Sequence, residues 1–504
     1  MQILVPLAGR SDFFSPEQYF FPKPLIEVGG KTMIERVIEN LKSVHSDSHF
    51  IFVVHQEDIA RFSLDKTLSI LTDGRCSVIG LTRPTKGALC SAMLAVDLLD
   101  PDAPLIVANG DQIIDCDFTE VLSQFEDTHA DAGIIAFPSV HPRWSYAQID
   151  SNGIVFQAAE KEVISRTAIA GFYYFKTAAL FVRCATRCLQ NDAKVNGNFY
   201  ISFCLNEVTL DGGRVGAFTI PAESYHSLYS PEKIRTFEDD AIKKSLARAN
   251  PVIDDDAVNL IVPAAGQGSR FAVAGYKNPK PFIDVHGQPM IAHVIENVRP
   301  TGAHVHVLLR TEHLDDQRPA VDHLEAAGCT IHKVDRLTEG TACTLLLARS
   351  AFDNEAPMLV ANSDQYVEFD VDAYVADCKA RHLDGSILVF RDETRNPKWS
   401  FARVDSQNLV TEVAEKKAIS DLATVGIYFF RKGSDFVRGA IDMIALNERV
   451  NNEFYTAPVY NYLIKAGLRI GVYEVPMSAM HGLGTPDDLE EFLAKDVVMR
   501  NDAP

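Results

Sequence analysis

The strongest constraint on this 504-residue chain is that most of it is written twice. Ile3-Leu-Val-Pro-Leu-Ala-Gly9 returns as Leu260-Ile-Val-Pro-Ala-Ala-Gly266, and Phe21-Pro-Lys-Pro-Leu-Ile26 returns as Asn278-Pro-Lys-Pro-Phe-Ile283, both at a spacing of 257 residues. Met33-Ile-Glu-Arg-Val-Ile-Glu-Asn40 is matched by Met290-Ile-Ala-His-Val-Ile-Glu-Asn297. Further on, Leu105-Ile-Val-Ala-Asn-Gly-Asp-Gln112 pairs with Met358-Leu-Val-Ala-Asn-Ser-Asp-Gln365, Trp144-Ser-Tyr-Ala with Trp399-Ser-Phe-Ala, Ala159-Glu-Lys161 with Ala414-Glu-Lys416, and Asn198-Phe-Tyr200 with Glu453-Phe-Tyr455. Self-similarity on this length scale is duplication of a whole domain, not a solenoid of short repeats.

The copies are placed at residues 1–249 and 257–504. Each closes on a Ser/Thr-Pro step, Ser230-Pro231 or Thr485-Pro486, suited to cap and open a final helix. The acidic stretch Asn250-Pro-Val-Ile-Asp-Asp-Asp256 then breaks the periodicity and marks the boundary. Within a copy, apolar runs of strand length alternate with segments whose apolar residues fall at helical spacing (Ile34, Val37, Ile38, Leu41; Ile291, Val294, Ile295, Val298). That alternation predicts an α/β fold, with a mostly parallel sheet covered by helices and ligands gathered at the carboxyl ends of its strands.

One such strand end carries the chemistry. After the run Asn259 to Val262 comes Pro-Ala-Ala-Gly-Gln-Gly-Ser-Arg-Phe271, with Pro279-Lys-Pro a short loop later. Glycines let backbone approach a ligand, and successive amides there can face an anion. Arg270 adds a fixed fork of donors and Lys280 a compact charge, which makes the loop a candidate triphosphate cradle. The Walker pattern is excluded by the absent Gly-Lys-Ser/Thr ending, and a dinucleotide fingerprint by Phe271 at its third small position. Asp364, at the end of the run Met358 to Ala361, offers the hard oxygen that suits Mg²⁺.

These residues resemble the signature of the sugar-phosphate nucleotidylyltransferases, which join a nucleoside monophosphate unit to a sugar 1-phosphate and release pyrophosphate. The resemblance covers both copies. It implies two tandem GT-A-like, Rossmann-type nucleotidyltransferase domains serving activated-sugar or surface-polysaccharide precursor synthesis. By the same resemblance, Arg270, Lys280 and Asp364 would be catalytic, with Asp364 holding Mg²⁺. Ala265, Gly266, Gly268, Ser269 and the loop Glu339-Gly340-Thr341 would bind the nucleotide, while Glu415, Lys416 and Gly426 would bind the phosphorylated substrate. Phe454 and Tyr455 are weaker candidates for walls of that pocket.

Departures from the family pattern are equally informative. Where many relatives have a second metal-binding aspartate, two residues before the final Gly-Thr, this chain has Gly482, with His481 beside it as a weak substitute. In the first copy Ser11, Asp12 and Phe13 stand for Gly268, Ser269 and Arg270, and Lys86 and Ala88 for Glu339 and Thr341; Lys23, Asp111, Glu160 and Lys161 survive. The expectation is that nucleotide turnover resides in the second copy, with Arg10 a partial substitute in the first. Two rivals remain: a nucleotide-sugar binding or regulatory protein without turnover, favoured by Gly482, and a GT-A glycosyltransferase, disfavoured because Asn362-Ser-Asp364 is not Asp-x-Asp.

A formal charge of −20 argues against nucleic acid and anionic membranes as partners, so a phosphate site must be a local basic pocket. No apolar run reaches the ~18 residues of a spanning helix, and the opening Met1-Gln-Ile-Leu-Val-Pro lacks a charged leader. Nine cysteines without a C-x-x-C pair are expected to be reduced. Together these predict a cytoplasmic protein without membrane insertion. Its partners are an NTP and a phosphorylated small molecule, and homo-oligomerisation is left open.

Overall fold

In the computed structural model of the chain, residues 1–9, 11, 13–15, 19–45, 47–247 and 257–494 are described, with 241–247 described by backbone alone. The chain forms two compact units, Met1–Pro251 and Val252–Pro504. The boundary stretch 250–256 and the first-copy positions Arg10 and Asp12 lie outside the described residues.

Each unit is built on a nine-stranded sheet. In the second, the spatial order is Cys329–Val334, His304–Arg310, Asn259–Pro263, Met358–Ala361, Leu422–Phe430, Gly385–Arg391 and Ile470–Glu474, with the hairpin Phe401–Val404/Val410–Ala414 attached to Leu422–Phe430. The first four strands are parallel; Leu422–Phe430 runs antiparallel to both neighbours, so the sheet turns mixed beyond Met358–Ala361. The first unit repeats this order from Cys76–Leu81 through Gln2–Pro6 to Val215–Thr219, and Ile154–Glu160 and Ser145–Ile149 extend its far edge. Runs such as Leu260-Ile-Val262 are fully buried because helices cover both faces of a parallel sheet.

The helices expected from periodicity form at Met33–Lys42 and Met290–Val298, and all eight residues at the named spacing are buried. Thr32 caps the first by accepting from the Glu35 amide. The closing helix of the second unit, Pro486–Leu493, starts as expected: Thr485 accepts from the Asp488 amide at 3.1 Å and Pro486 occupies the first turn. None of the nine cysteines forms a disulfide. Among the described residues, no helix is long and apolar enough to cross a membrane.

Phe271, which excluded a dinucleotide fingerprint, is a core residue at 1% exposure, packed with Met290, Leu483 and Phe492. Phe14 does the same in the first unit, against Met33 and Leu228. This anchor pins the glycine loop to the body of the domain immediately after its variable residues.

Candidate active site

The glycine loop leaves the strand Asn259–Pro263 with Ala264 and Ala265 buried and Gly266, Ser269 and Arg270 exposed. Gly268 has φ 58°, and a Cβ there would stand 2.9 Å from the Lys280 Cβ. Glycine therefore supplies both the left-handed turn and the close approach that brings the loop onto Lys280. Arg270 is exposed with no ion-pair partner among the described residues, so its donors face outward.

Lys280 and Asp364 meet directly: Nζ donates to Oδ2 at 2.7 Å, with the side chains 19% and 35% exposed. Asp364 also sits against Gly484, where an added Cβ would lie 3.2 Å from Oδ2. The carboxylate is thus half-open, anchored on one side by an ammonium and unobstructed on the other. A hard oxygen donor with free space beside it fits Mg²⁺, which completes its octahedron with water and substrate phosphate. At position 482 an added Cβ would lie 3.4 to 3.5 Å from Asp488, whose Oδ2 accepts from Thr485 Oγ1 at 2.7 Å. His481 does not substitute. It alternates to the other face of its strand, is 7% exposed against Tyr366 and Phe492, and shares a 2.6 Å contact with Glu368.

A second constellation surrounds the loop Glu339–Thr341. Gly340, at φ 114°, packs onto backbone, and a Cβ there would stand 2.5 Å from Phe454 N and O. The Phe454 amide donates to the Glu339 carbonyl at 2.7 Å, and the Ala342 amide donates to the Phe454 carbonyl at 3.0 Å. The Glu339 carboxylate is ion-paired with Arg449 at 2.8 Å, and that guanidinium lies 4.5 Å over the Phe454 ring. The next residue, Tyr455, reaches the acceptor end: Lys416 Nζ donates to its hydroxyl and stands 4.5 Å over its ring. Lys416 itself has φ 52°, a left-handed turn two residues past the end of the strand Val410–Ala414.

Glu415, beside it, accepts from Ser400 Oγ. Burial raises its pKa above the ordinary carboxylate value, an effect that the Ser400 hydrogen bond and the Lys416 charge oppose. The strand Leu422–Phe430 ties the constellations together. Near one end the Thr424 amide donates to the Ser400 carbonyl at 2.8 Å; further on, the Gly426 carbonyl accepts from the Asn362 amide at 3.0 Å. Gly426 therefore lies against Asn362, two residues before Asp364, while Thr424 and Tyr428 on either side of it share a side-chain contact at 3.1 Å.

The first unit keeps the scaffold and changes the side chains around the glycine loop. Lys23 is ion-paired with Asp111, and Glu160, 8% exposed, accepts from Ser145 and Ser202 and has its pKa raised by burial. Lys161 has φ 56° and lies 5.1 Å over the Tyr200 ring. The Phe199 amide donates to the Lys86 carbonyl at 2.8 Å, the counterpart of Phe454 and Glu339. But Phe13, in the place of Arg270, stacks edge-on to Tyr229, in the place of Gly484, with ring centroids 5.4 Å apart. The Arg143 guanidinium covers the same tyrosine at 3.5 Å. Aromatic bulk thus stands where the second unit has a glycine and a free guanidinium.

A sequence profile of the nucleotidyl transferase family matches residues 17–198 and again 259–454, together well over half of the chain. The chain belongs to that family. Among curated proteins this nucleotidyl transferase is 26% identical over 238 residues to the bifunctional protein GlmU of Brucella anthropi, covering 46% of this chain and 50% of the relative. It is also 26% identical over 246 residues to GlmU of Methanocaldococcus jannaschii, covering 46% and 53%. The chain spans about half the length of the curated relatives it matches. Among solved structures, the nucleoside-diphosphate-sugar pyrophosphorylase of Vibrio cholerae RC9 matches at 27% identity and a TM-score of 0.42, over 47% of this chain and all of that one. The inositol-1-phosphate CTP transferase of T. maritima matches at 14% and 0.39, over 48% and 98%.

Sequence reasoning gave Tyr455 little weight and missed Arg449, Ser400, Gly484 and Asp488. Ser400 was signalled by the repeat, since Trp-Ser-x-Ala occurs in both copies with the serine on the motif glutamate each time. Arg449 is only half repeated: its counterpart Lys194 lies 6.0 Å over the Phe199 ring but pairs with Asp192, since Lys86 stands at the place of Glu339.

Proposed function

We propose that the second unit is a Mg²⁺-dependent nucleotidylyltransferase. A phosphate oxygen of a sugar 1-phosphate, or of a related phosphorylated metabolite, attacks the α-phosphorus of an NTP; the new P–O bond forms as the α–β bond breaks, and pyrophosphate leaves. The attacking oxygen is already ionised, so no general base is required, and catalysis comes from positioning and charge stabilisation. The observation that carries this reading is the Lys280–Asp364 pair, held against Gly268 on one side and open at Gly484 on the other.

Arg270 and Lys280 would neutralise the triphosphate, and the loop Glu339–Thr341 would lie against the nucleoside. Lys416, steadied by Tyr455, would offset repulsion between the incoming phosphate and the α-phosphate, while Glu415 would accept from acceptor hydroxyls. Asp364 would hold Mg²⁺, which when bound adds positive charge at the phosphates. In this reading the first unit does not turn over NTP, and the enzyme works on cytoplasmic metabolites to supply activated-sugar or surface-polysaccharide precursors.

The test is pyrophosphate release from four NTPs crossed with a panel of sugar 1-phosphates and other phosphomonoesters. One or a few pairs should react, and Asp364→Asn should lower their turnover by orders of magnitude while the protein stays folded, since metal stabilisation of phosphate charge is worth several kcal/mol. Tight NTP binding without pyrophosphate from any pair would select the binding-only reading instead.

A further inference from the structure

At the other end of the second unit's sheet, two histidines meet on neighbouring parallel strands. His306 lies on His304–Arg310 and His332 on Cys329–Val334. The register pairs His306 with Thr330 and Leu308 with His332, so both side chains stand on one face of the sheet. Both are half-buried, and His306 Nδ1 is 3.1 Å from His332 Nε2.

The duplication supplies the comparison that gives the pair meaning. The strands Gln2–Pro6, His49–His55 and Cys76–Leu81 pair in the same register in the first unit, and there the two positions are Ile51 and Ile79. Ile51 is fully buried. Two isoleucines therefore satisfy the packing of this place, and replacing both with imidazoles brings polar atoms into it that must find partners. Packing alone does not call for them.

We propose that His306 and His332 form a binding site for a first-row divalent transition metal such as Zn²⁺, Ni²⁺ or Cu²⁺. With metal–nitrogen bonds of ~2.05 Å, two nitrogens at this separation subtend an angle of about 100° at the metal, between the values for square-planar and tetrahedral coordination. Neutral imidazole is the preferred donor for these ions; the ring that now donates the shared hydrogen shifts that proton to its other nitrogen, so that both facing nitrogens offer a lone pair to the metal and no proton is released. Room for further ligands is present. A cavity of about 360 Å³ opens beside His306 and is lined also by His304, Thr330, Asn259 and Asn354. His304, two residues before His306 on the same face, is in reach of the cavity, and water fills the remaining positions. The site lies at the amino ends of the strands, whereas Gly268 and Asp364 follow their carboxyl ends, so it is separate from the proposed transfer site and independent of that reading.

The experiment uses tag-free, full-length protein carrying Asp364→Asn and saturated with Mg²⁺, so that the carboxylate site does not contribute. Zn²⁺ binding is measured by calorimetry, and Cu²⁺ and Co²⁺ are read by electron paramagnetic resonance and visible absorption. One equivalent should bind, with nitrogen hyperfine structure on Cu²⁺ and no thiolate charge-transfer band on Co²⁺. His306→Ile and His332→Ile, which install the first unit's own residues, should each weaken Zn²⁺ binding at least tenfold with thermal stability kept. If either misfolds, His332→Gln serves in its place. Unchanged Zn²⁺ affinity in the double variant, or no Zn²⁺ bound by the parent, would show a hydrogen-bonded pair only and overturn the proposal.

Discussion

Arg270 and Lys416 are both cations, but their surroundings predict different losses. Arg270 is exposed and offers a planar fork that lysine cannot reproduce, so Arg270→Lys should raise KM for the NTP by tenfold or more. Lys416 is fixed by Tyr455 beside Glu415, so Lys416→Ala should chiefly raise KM for the phosphorylated acceptor. Initial rates over a grid of both substrates check this; equal effects on both substrates from both changes would sink the division of the pocket. Glu415 supports a second expectation. Its folded pKa lies above the unfolded value because burial disfavours the charge, so the folded state holds the proton more tightly and stability falls as pH rises through the raised value. The cost is complete at neutral pH. Glu415→Gln should therefore melt no lower than the parent at pH 7, with the difference vanishing below about pH 4, where both side chains are neutral. Acceptor use should fall at the same time. A lower melting temperature at pH 7 would mean that the carboxylate stabilises the fold.

At the scale of the element, the glycine loop separates two uses of one residue type. Gly268 sits at φ 58° against Lys280, so Gly268→Ala should cost about 1–2 kcal/mol in unfolding free energy from the backbone alone, plus displacement of Lys280. Gly266 has nothing within 4 Å of an added Cβ, so Gly266→Ala should leave the melting temperature unchanged and raise KM for the NTP only. Thermal melts paired with kinetics decide between them; a destabilised Gly266→Ala would show that this glycine serves the fold. The loop at Gly340 follows the same logic. Its backbone contact with Phe454 is repeated by Gly87 and Phe199 in the first unit, although the neighbouring side chain changes from Glu339 to Lys86. Backbone geometry has outlasted the chemistry attached to it.

For the whole molecule, duplication predicts two sites and the side chains distinguish them. The first unit has Phe13 stacked edge-on to Tyr229 and lacks the guanidinium fork of Arg270; at ~1 to 3 kcal/mol for each charged hydrogen bond lost, its NTP affinity should be lower by tenfold or more. Asp364→Asn should therefore abolish pyrophosphate release, and Asp111→Asn should leave most of it intact. The reverse outcome would move the active site to the first unit. Glu160, buried with two serine donors, keeps in the first unit, at the position of Glu415, an ionisable group that burial disfavours.

Duplication, fold class and the loop residues were legible in the sequence because they depend on local pattern. Strand and helix periodicity, glycines at turns and a Ser/Thr-Pro helix start act within a few residues of themselves, and a repeat shows each of them twice. The family resemblance put Lys280 and Asp364 in one catalytic set without anticipating that they touch. Their 2.7 Å ion pair depends on the parallel pairing of Asn259–Pro263 with Met358–Ala361 and on the bend at Gly268. Tertiary structure alone decided that Gly484 lies against Asp364, that His481 faces the core, and that Tyr455 holds Lys416. Those contacts join residues remote in sequence, and strand alternation sends adjacent side chains to opposite faces, so a register one residue different would reverse each assignment.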